Sequence, residues 1–549
     1  MNCQKIKNDE DVLMKKKLTL SIGIGSIVFL LTYSVQELSA QPQQYGEVDF
    51  NVSCNKQVQA DFDRAVAMLH NMMYETAKGD FQEIAETDPN CAMAYWGMAT
   101  TLFQPLWGTR PSEEDLQKGW ELSSKAVELA ESERERLLAE STAAFFRNPR
   151  TTDFWQRIER WADGVEVAYE AYPDDPNITA LYGLSLLTLA QRAHDRNPLH
   201  DKAEALLREV YEENPRHPGA IHYTIHATDV DGRAENALDI VEAYGKIAPD
   251  VPHALHMPTH IYVRLGNWPE VINWNKKSAE AALNHPAGNA VSHHYAHAID
   301  YLVYAYLQRG EDDNANAVAE QVWSKDPHQA SFIAAFHMAA IPARLAVERH
   351  DWEKAADLKP RTPDYLPWDS SPWAEGLTWF ARGLGSVHTG NLEMANEAEE
   401  QLRTLRDNAK DSGADDMANY IEIDRRILAG WIAHANTDND KAIALMQSAA
   451  ELEGKIEKHP VTPGALLPPN EALGELLMDL DRPGEALEAY KASDEIWPGR
   501  YNTLLGAARA ADQAGDKLAA EEYYQRLLTT AGNSSREDIK EARSFAGEK

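Results

Sequence analysis

The stretch YETAKGDFQEIAETDP, residues 74–89, decides the fold. It carries an aromatic at Tyr74, a small residue at Ala77, a second aromatic at Phe81 and a closing Pro89. A small side chain lets two helices approach, and a proline ends a helix because it lacks an N–H to donate. The same grammar returns in GRAENALDIVEAYGKIAP (232–249) with Gly232, Ala237 and Pro249, and in RPGEALEAYKASDEIWP (482–498) with Ala486, Tyr490 and Pro498. In all three the proline follows the alanine by twelve residues. RLGNWPEVINWN (264–275) repeats the turn with Gly266 and Trp268, and QAGDKLAAEEYY (513–524) with Gly515, Ala520 and Tyr524. Each motif is weak alone, but their recurrence across residues 58–530 marks an internal repeat. The chain is 44% hydrophobic and 26% charged, a globular balance. Ala, Leu and Glu dominate, alternating β-branched runs are scarce, and helices are therefore expected throughout.

These marks resemble tetratricopeptide repeats, units of about 34 residues built as two antiparallel helices. The resemblance implies an all-α, right-handed superhelical solenoid of helical hairpins with a His-lined concave groove. A solenoid accommodates 549 residues without one oversized core, because each unit packs only on its neighbours. The expected organisation is a targeting segment at 1–40, an extension at 41–57 and a first repeat block at 58–356. A Pro- and aromatic-rich loop at 357–375, a second block at 376–535 and a frayed tail at 536–549 follow. Around residues 105–120, PLWGTRPSEEDLQKGW breaks the repeat and leads into extra helices. The loop KPRTPDYLPWDSSPW (359–373) is expected over the groove mouth, with Tyr365, Trp368 and Trp373 as aromatic walls.

At the N-terminus, Lys15, Lys16 and Lys17 precede the apolar run LTLSIGIGSIVFLLTYSV, and LSA ends at Ala40. This pattern is that of an export signal, which would place the mature protein in the periplasm or outside the cell. The run is about long enough to span a bilayer uncut, so an N-terminal anchor is the alternative. Export permits a disulfide between Cys54 and Cys91, with two buried thiols as the other reading. The net charge is −34, and no basic cluster lies outside the targeting segment, so nucleic acid is not an expected partner.

Ten of the 19 histidines lie between residues 217 and 300, in HPGAIHYTIHATD (217–229), PHALHMPTHIYVRLGNW (252–268) and VSHHYAHAIDYLVYAYLQRG (291–310). His222 and His226 stand ten and six residues before Gly232. His253, His256 and His260 stand thirteen, ten and six before Gly266, and His297, Asp300 and Tyr304 fill the same offsets before Gly310. His337 and Arg344 take the thirteen and six offsets before His350. Such offsets fall along one helical stripe. In the repeats this chain resembles, that stripe lines the ligand-binding groove. The segments HYTIHATD, PHALHMPTHI and HAIDYLVYAYLQ also resemble a group of exported bacterial proteins with tetratricopeptide repeats, which implies a fold and a site location but no reaction.

Neutral imidazole is a common transition-metal ligand, and neighbouring helices can supply several from different directions. The metal candidates are His222, His226, His253, His256, His260, His297 and Asp300, for one or two ions of Zn, Cu, Fe or Mn. Asp229 is a candidate acceptor behind a ligand. His297, Tyr304 and Glu475 are candidates for acid–base work, with His337, Arg344, Glu471, Arg509 and Trp368 for holding a substrate. Glu471 and Glu475 enter because PPNEALGELLMDLDRPGEAL (468–487) puts them at the ten and six offsets, on a terminal groove expected to face the histidines across a cavity. His70 is a weaker groove candidate, and His217, His285 and His294 fall off the stripe. HMPTH lacks the glutamate of a zinc-protease helix, and Pro258 should bend or start a helix there. No phosphate-binding loop, dinucleotide fingerprint or serine-hydrolase elbow occurs. The functional expectation is a metal-binding protein, a hydrolase or oxidoreductase if catalytic, acting on a small molecule or peptide in the groove. The alternatives are a non-catalytic scaffold for a peptide or protein, and metal storage or delivery.

Overall fold

Helices form where the repeat motifs place them. In the computed structural model, which describes residues 44–107, 110–148, 150–531 and 533–547, helix Tyr74–Thr87 covers the first motif. Its Ala77 and Phe81 are fully buried against the preceding helix, Gln59–His70. The pairing continues down the chain. Trp268–Ala282 packs on His293–Gln308, Pro372–His388 on Leu392–Asp411, Asp415–Ala435 on Asn439–Glu453, and Tyr501–Ala514 on Lys517–Ala531. Among the described residues there is no strand, only two isolated bridges. The architecture is thus an all-helical stack of consecutive, tetratricopeptide-like hairpins, joined by short turns that force neighbours to run antiparallel. Gly266 and Gly310 sit in such turns at φ of 64° and 63°, a left-handed conformation that glycine adopts without a steric cost.

Proline divides the histidine-bearing segment as the sequence indicates. Pro258 ends helix Pro252–His256 and begins helix Pro258–Arg264. The motif at 232–249 is less regular, a 3-10 turn at Ala234–Ala237 followed by helix Val241–Ile247. The segment after residue 110 holds two helices, Glu113–Leu129 and Glu133–Phe146, each opened by a serine capping box at Ser112 and Ser132.

The C-terminal helices close onto the histidine-bearing ones. The Trp268 indole N–H donates to the Gly499 carbonyl at 2.9 Å, and the Tyr501 backbone N–H to Gln308 Oε1 at 2.9 Å. Arg344 reaches the Gly464 carbonyl at 2.9 Å. The non-helical segment 457–466 is thereby held against the histidine helices, where an open cavity was expected. Nor is the tail frayed. Helix Ile539–Phe545 buries Ile539 and Ala542, and buried Arg536 joins Asp312 at 2.7 Å and the Leu307 carbonyl at 3.1 Å. Cys54 and Cys91 are bonded, with Cα atoms 4.7 Å apart, tying the extension to the start of helix Ala92–Thr100. No described helix is long and apolar enough to cross a membrane. The targeting segment expected at 1–40 lies outside the described residues.

Candidate metal centre

Six of the seven residues expected to ligate metal form two triads in one continuous run of imidazoles. His222, His226 and His253 have ring nitrogens within 4.8 Å of one another, and so do His256, His260 and His297. Ring centroids link the triads, at 6.0 Å from His226 to His260 and 6.3 Å from His253 to His256. Helix Pro218–Thr228 supplies the first pair, the two short helices around Pro258 supply three more, and helix His293–Gln308 supplies His297. Four-residue spacing stacks each pair on one helix face.

The second of these triads is set by its surroundings. Asn275 Nδ2 donates to the Val271 carbonyl at 2.8 Å, which fixes the amide and turns Oδ1 toward His256 Nδ1 at 2.7 Å. His256 Nδ1 must therefore carry the proton. His260 Nδ1 donates to Asp229 Oδ2 at 2.9 Å. His297 Nδ1 lies 2.7 Å from His337 Nε2, and His337 Nδ1 donates to Asp300 Oδ2 at 3.0 Å. Because His337 donates from Nδ1, its Nε2 accepts from His297. All three rings thus give away the Nδ1 proton and keep the Nε2 lone pair. His256 Nε2 and His260 Nε2 face each other at 3.0 Å, two acceptors in contact.

Both carboxylates are ionised. Burial pushes Asp229 up, but Lys458, Arg264 and His260 outweigh it and hold the carboxyl well below its usual range. Burial likewise pushes Asp300 up, and Arg344 and His337 bring it down. Arg264 bonds Asp229 at 2.8 Å and Arg344 bonds Asp300 at 2.7 Å. Burial pushes the six histidines below their ordinary pKa, His222 to about 3, helped by neighbouring imidazoles at five of them and by Lys458 and Arg264 at His260, so all are neutral near pH 7.

The other expected site residues lie elsewhere or act differently. Asp300 is fully buried between His337 and Arg344, behind the histidines and not beside a ligand position. His337 and Arg344 are enclosed in the same relay, with Arg344 also bonded to Thr462 at 2.8 Å and bordering a separate cavity of about 100 Å³ that no triad histidine lines. Tyr304 is buried against Trp268 and accepts from Arg500 at 2.9 Å. Glu471 pairs with Arg500 at 2.9 Å and accepts from Thr503. Glu475 lies 3.3 Å from His350, and exposed Arg509 pairs with Glu541. Trp368 is buried, its indole N–H donating to the Pro363 carbonyl at 2.8 Å. Of these, His337 bonds a triad member, at His297 Nδ1; Tyr304, Glu471, Glu475, Arg509 and Trp368 are not brought to the triads. Of the loop aromatics, Trp373 packs between Phe336 and Tyr420, and Tyr365 bonds Asp326 at 2.7 Å.

Several residues reach the histidines without standing on the expected stripe. Tyr301 lies 4.5 Å from His256 and 5.1 Å from His297 between centroids, its hydroxyl donating to the Pro460 carbonyl at 3.0 Å. Trp107 covers His253, His293 and His294. His294, off the stripe, touches His253 at 5.4 Å, while His70 offers its carbonyl to His222. A cavity of about 40 Å³, lined by His226, His253, His260, His294, His297 and His459, adjoins both triads and has room for water. His459 and Pro460 also wall a larger cavity of about 340 Å³. The only advance signal among these covering residues was the interruption of the repeat at 105–120, which holds Trp107; His459 and Pro460 gave none. Asn275 gave none.

The chain matches no protein-family profile and no curated protein. Among solved structures it is similar to the APC/C hetero-tetramer Cut9-Hcn1, at 14% identity and a TM-score of 0.31, covering 90% of this chain and 96% of that one. It is also similar to the human IFIT1 dimer with m7Gppp-AAAA, at 13% identity and a TM-score of 0.35, covering 88% and 97%.

Proposed function

We propose that this chain holds a divalent transition-metal ion at His256, His260 and His297 and uses it on a small substrate admitted past the His459–Pro460 segment. One observation carries the reading. Three neutral imidazoles, from three separate helices, are each held at Nδ1 by an acceptor and each keep the Nε2 lone pair. Two of those lone pairs meet at 3.0 Å, an arrangement that repels unless a cation or a proton lies between them. Zinc, copper, iron and manganese all take such a set, and bound there the ion would supply Lewis acidity to a water or a carbonyl. The chain's own contribution is to exclude bulk solvent, through Trp107 and the 457–466 segment, and to hold the rings rigid. His294 and His459, on the same cavity, are placed to hydrogen-bond a water bound there. Export to the periplasm or cell exterior belongs to the same proposal.

The test is elemental analysis of purified protein, and of protein loaded with Zn, Cu, Fe or Mn salts and then dialysed. Stoichiometric metal should be present, and His256→Ala with His260→Ala should remove it while the helical circular dichroism persists. Protein that binds none of the four would overturn the reading and leave the scaffold alternative.

A further inference from the structure

His222, His226 and His253 have the same residue type and helix spacing but none of the same support. His222 Nδ1 donates to the His70 carbonyl at 2.6 Å, so its Nε2 carries a lone pair. That Nε2, the Nε2 of His226 and both ring nitrogens of His253 are buried and have no hydrogen-bond partner. Buried polar atoms without partners are rare in folded proteins, and at least one on each of three touching rings points to a shared ligand. An anion does not suit, because His222 Nε2 has no proton to offer. A cation that accepts lone pairs does.

The charge around the triad narrows the ion. The nearest carboxylate, Asp229, is committed to His260 at 2.9 Å, Arg264 at 2.8 Å and Lys458 at 3.6 Å. The acceptor behind His222 is a neutral backbone carbonyl, and the rings packed around the triad are His294, Tyr223, Tyr244, Trp107 and the other histidines. A divalent ion would leave two uncompensated charges in this interior, and a monovalent one leaves a single charge. Imidazole is a suitable copper ligand, and the cuprous ion is the form of copper that carries a single charge. We propose that His222, His226 and His253 form a second, separate metal site that takes a monovalent copper ion. The inference stands on these unpartnered nitrogens and not on the reading of the first centre.

The experiment titrates the full chain with cuprous ion under anaerobic reducing conditions and, separately, with zinc, reading bound equivalents and the nitrogen coordination of copper by X-ray absorption. His253→Phe is the informative variant, since His253 makes no hydrogen bond that folding would miss, and His226→Gln is the second. Two cuprous equivalents are expected, one of them weakened at least about 100-fold by either variant. The single zinc equivalent at the other triad should survive both. Cuprous binding unchanged by both variants would overturn the inference while leaving the first centre standing. If one ion alone binds, and either triad's variants release it, the six histidines are a single site and the proposal fails. Metal lost in His253→Phe but retained in His256→Ala with His260→Ala would support this site and overturn the first. Zinc held at this triad more tightly than cuprous ion would overturn the assignment of the ion.

Discussion

Two triads of histidine, similar in spacing and within about one ring's reach of each other, differ in what stands behind them. His256, His260 and His297 rest on an amide, a carboxylate and a second imidazole, each fixed in turn by a further hydrogen bond or ion pair. His222 rests on a backbone carbonyl, and no bond holds His253 at all. Ligand identity is the same, so the difference teaches that preorganisation and local charge come from the layer behind the ligands. Two comparisons separate the triads by measurement, and a third calibrates the effect of burial on their imidazoles.

The largest effect is expected from Asp300→Ala. It leaves the Arg344 guanidinium and the His337 ring buried without their carboxylate, which should cost about 3–5 kcal/mol of stability in urea unfolding of metal-free protein. The unsupported triad has no equivalent side chain to remove. A loss below about 1 kcal/mol would mean that the relay behind His297 does not set it.

Next comes a matched pair. His256→Phe strands the Asn275 carbonyl oxygen and should cost about 1–3 kcal/mol, whereas His253→Phe breaks no bond and should move stability by no more than about 1 kcal/mol. Equal losses in the two unfolding curves would erase the distinction between the triads.

The smallest effect is a pH benchmark from outside both triads. His217 caps helix Pro218–Thr228 by accepting the Ala220 N–H at Nδ1, and burial pushes its pKa down to about 4 from 6.5. The unfolded chain then binds the proton more readily, so stability is full above pH 6.5 and falls as pH drops toward 4. At pH 5 this histidine accounts for about 2 kcal/mol of loss. His217→Asn keeps a capping acceptor and removes the titration, so the stability difference between pH 7 and pH 5 should shrink by about that amount. An unchanged difference would show that His217 is not held neutral by burial, and the triads would need the same reassessment.

The repeat was legible because its signals are local. Ala77, Gly266 and Pro258 act on their own turn or helix end, and the structure places a helix, a left-handed turn and a helix break at those positions. The histidine stripe was legible for the same reason, since four-residue spacing fixes which residues share a helix face. Counting offsets failed at Tyr304 and Asp300. Helix His293–Gln308 is covered on several sides, and the C-terminal helices draw Tyr304 to Arg500 while helix Phe332–Val347 draws Asp300 to Arg344. Glu471 and Glu475 read as groove carboxylates because they stand at the ten and six offsets, yet Glu471 is neutralised in the interior by Arg500.

The sequence by itself determined the helical hairpins, their order, and the gathering of histidines on one face of three successive units. Each of these depends on residues a few positions apart, where backbone geometry alone decides the neighbours. Tertiary structure decided that Asn275, Asp229 and His337 stand behind one triad, that Trp107 and His459 wall the cavity adjoining both, and that the triad of His222, His226 and His253 has only a backbone carbonyl behind it. Those contacts join different helices, 19 or more residues apart in the chain, where helix spacing no longer decides the neighbours and packing does.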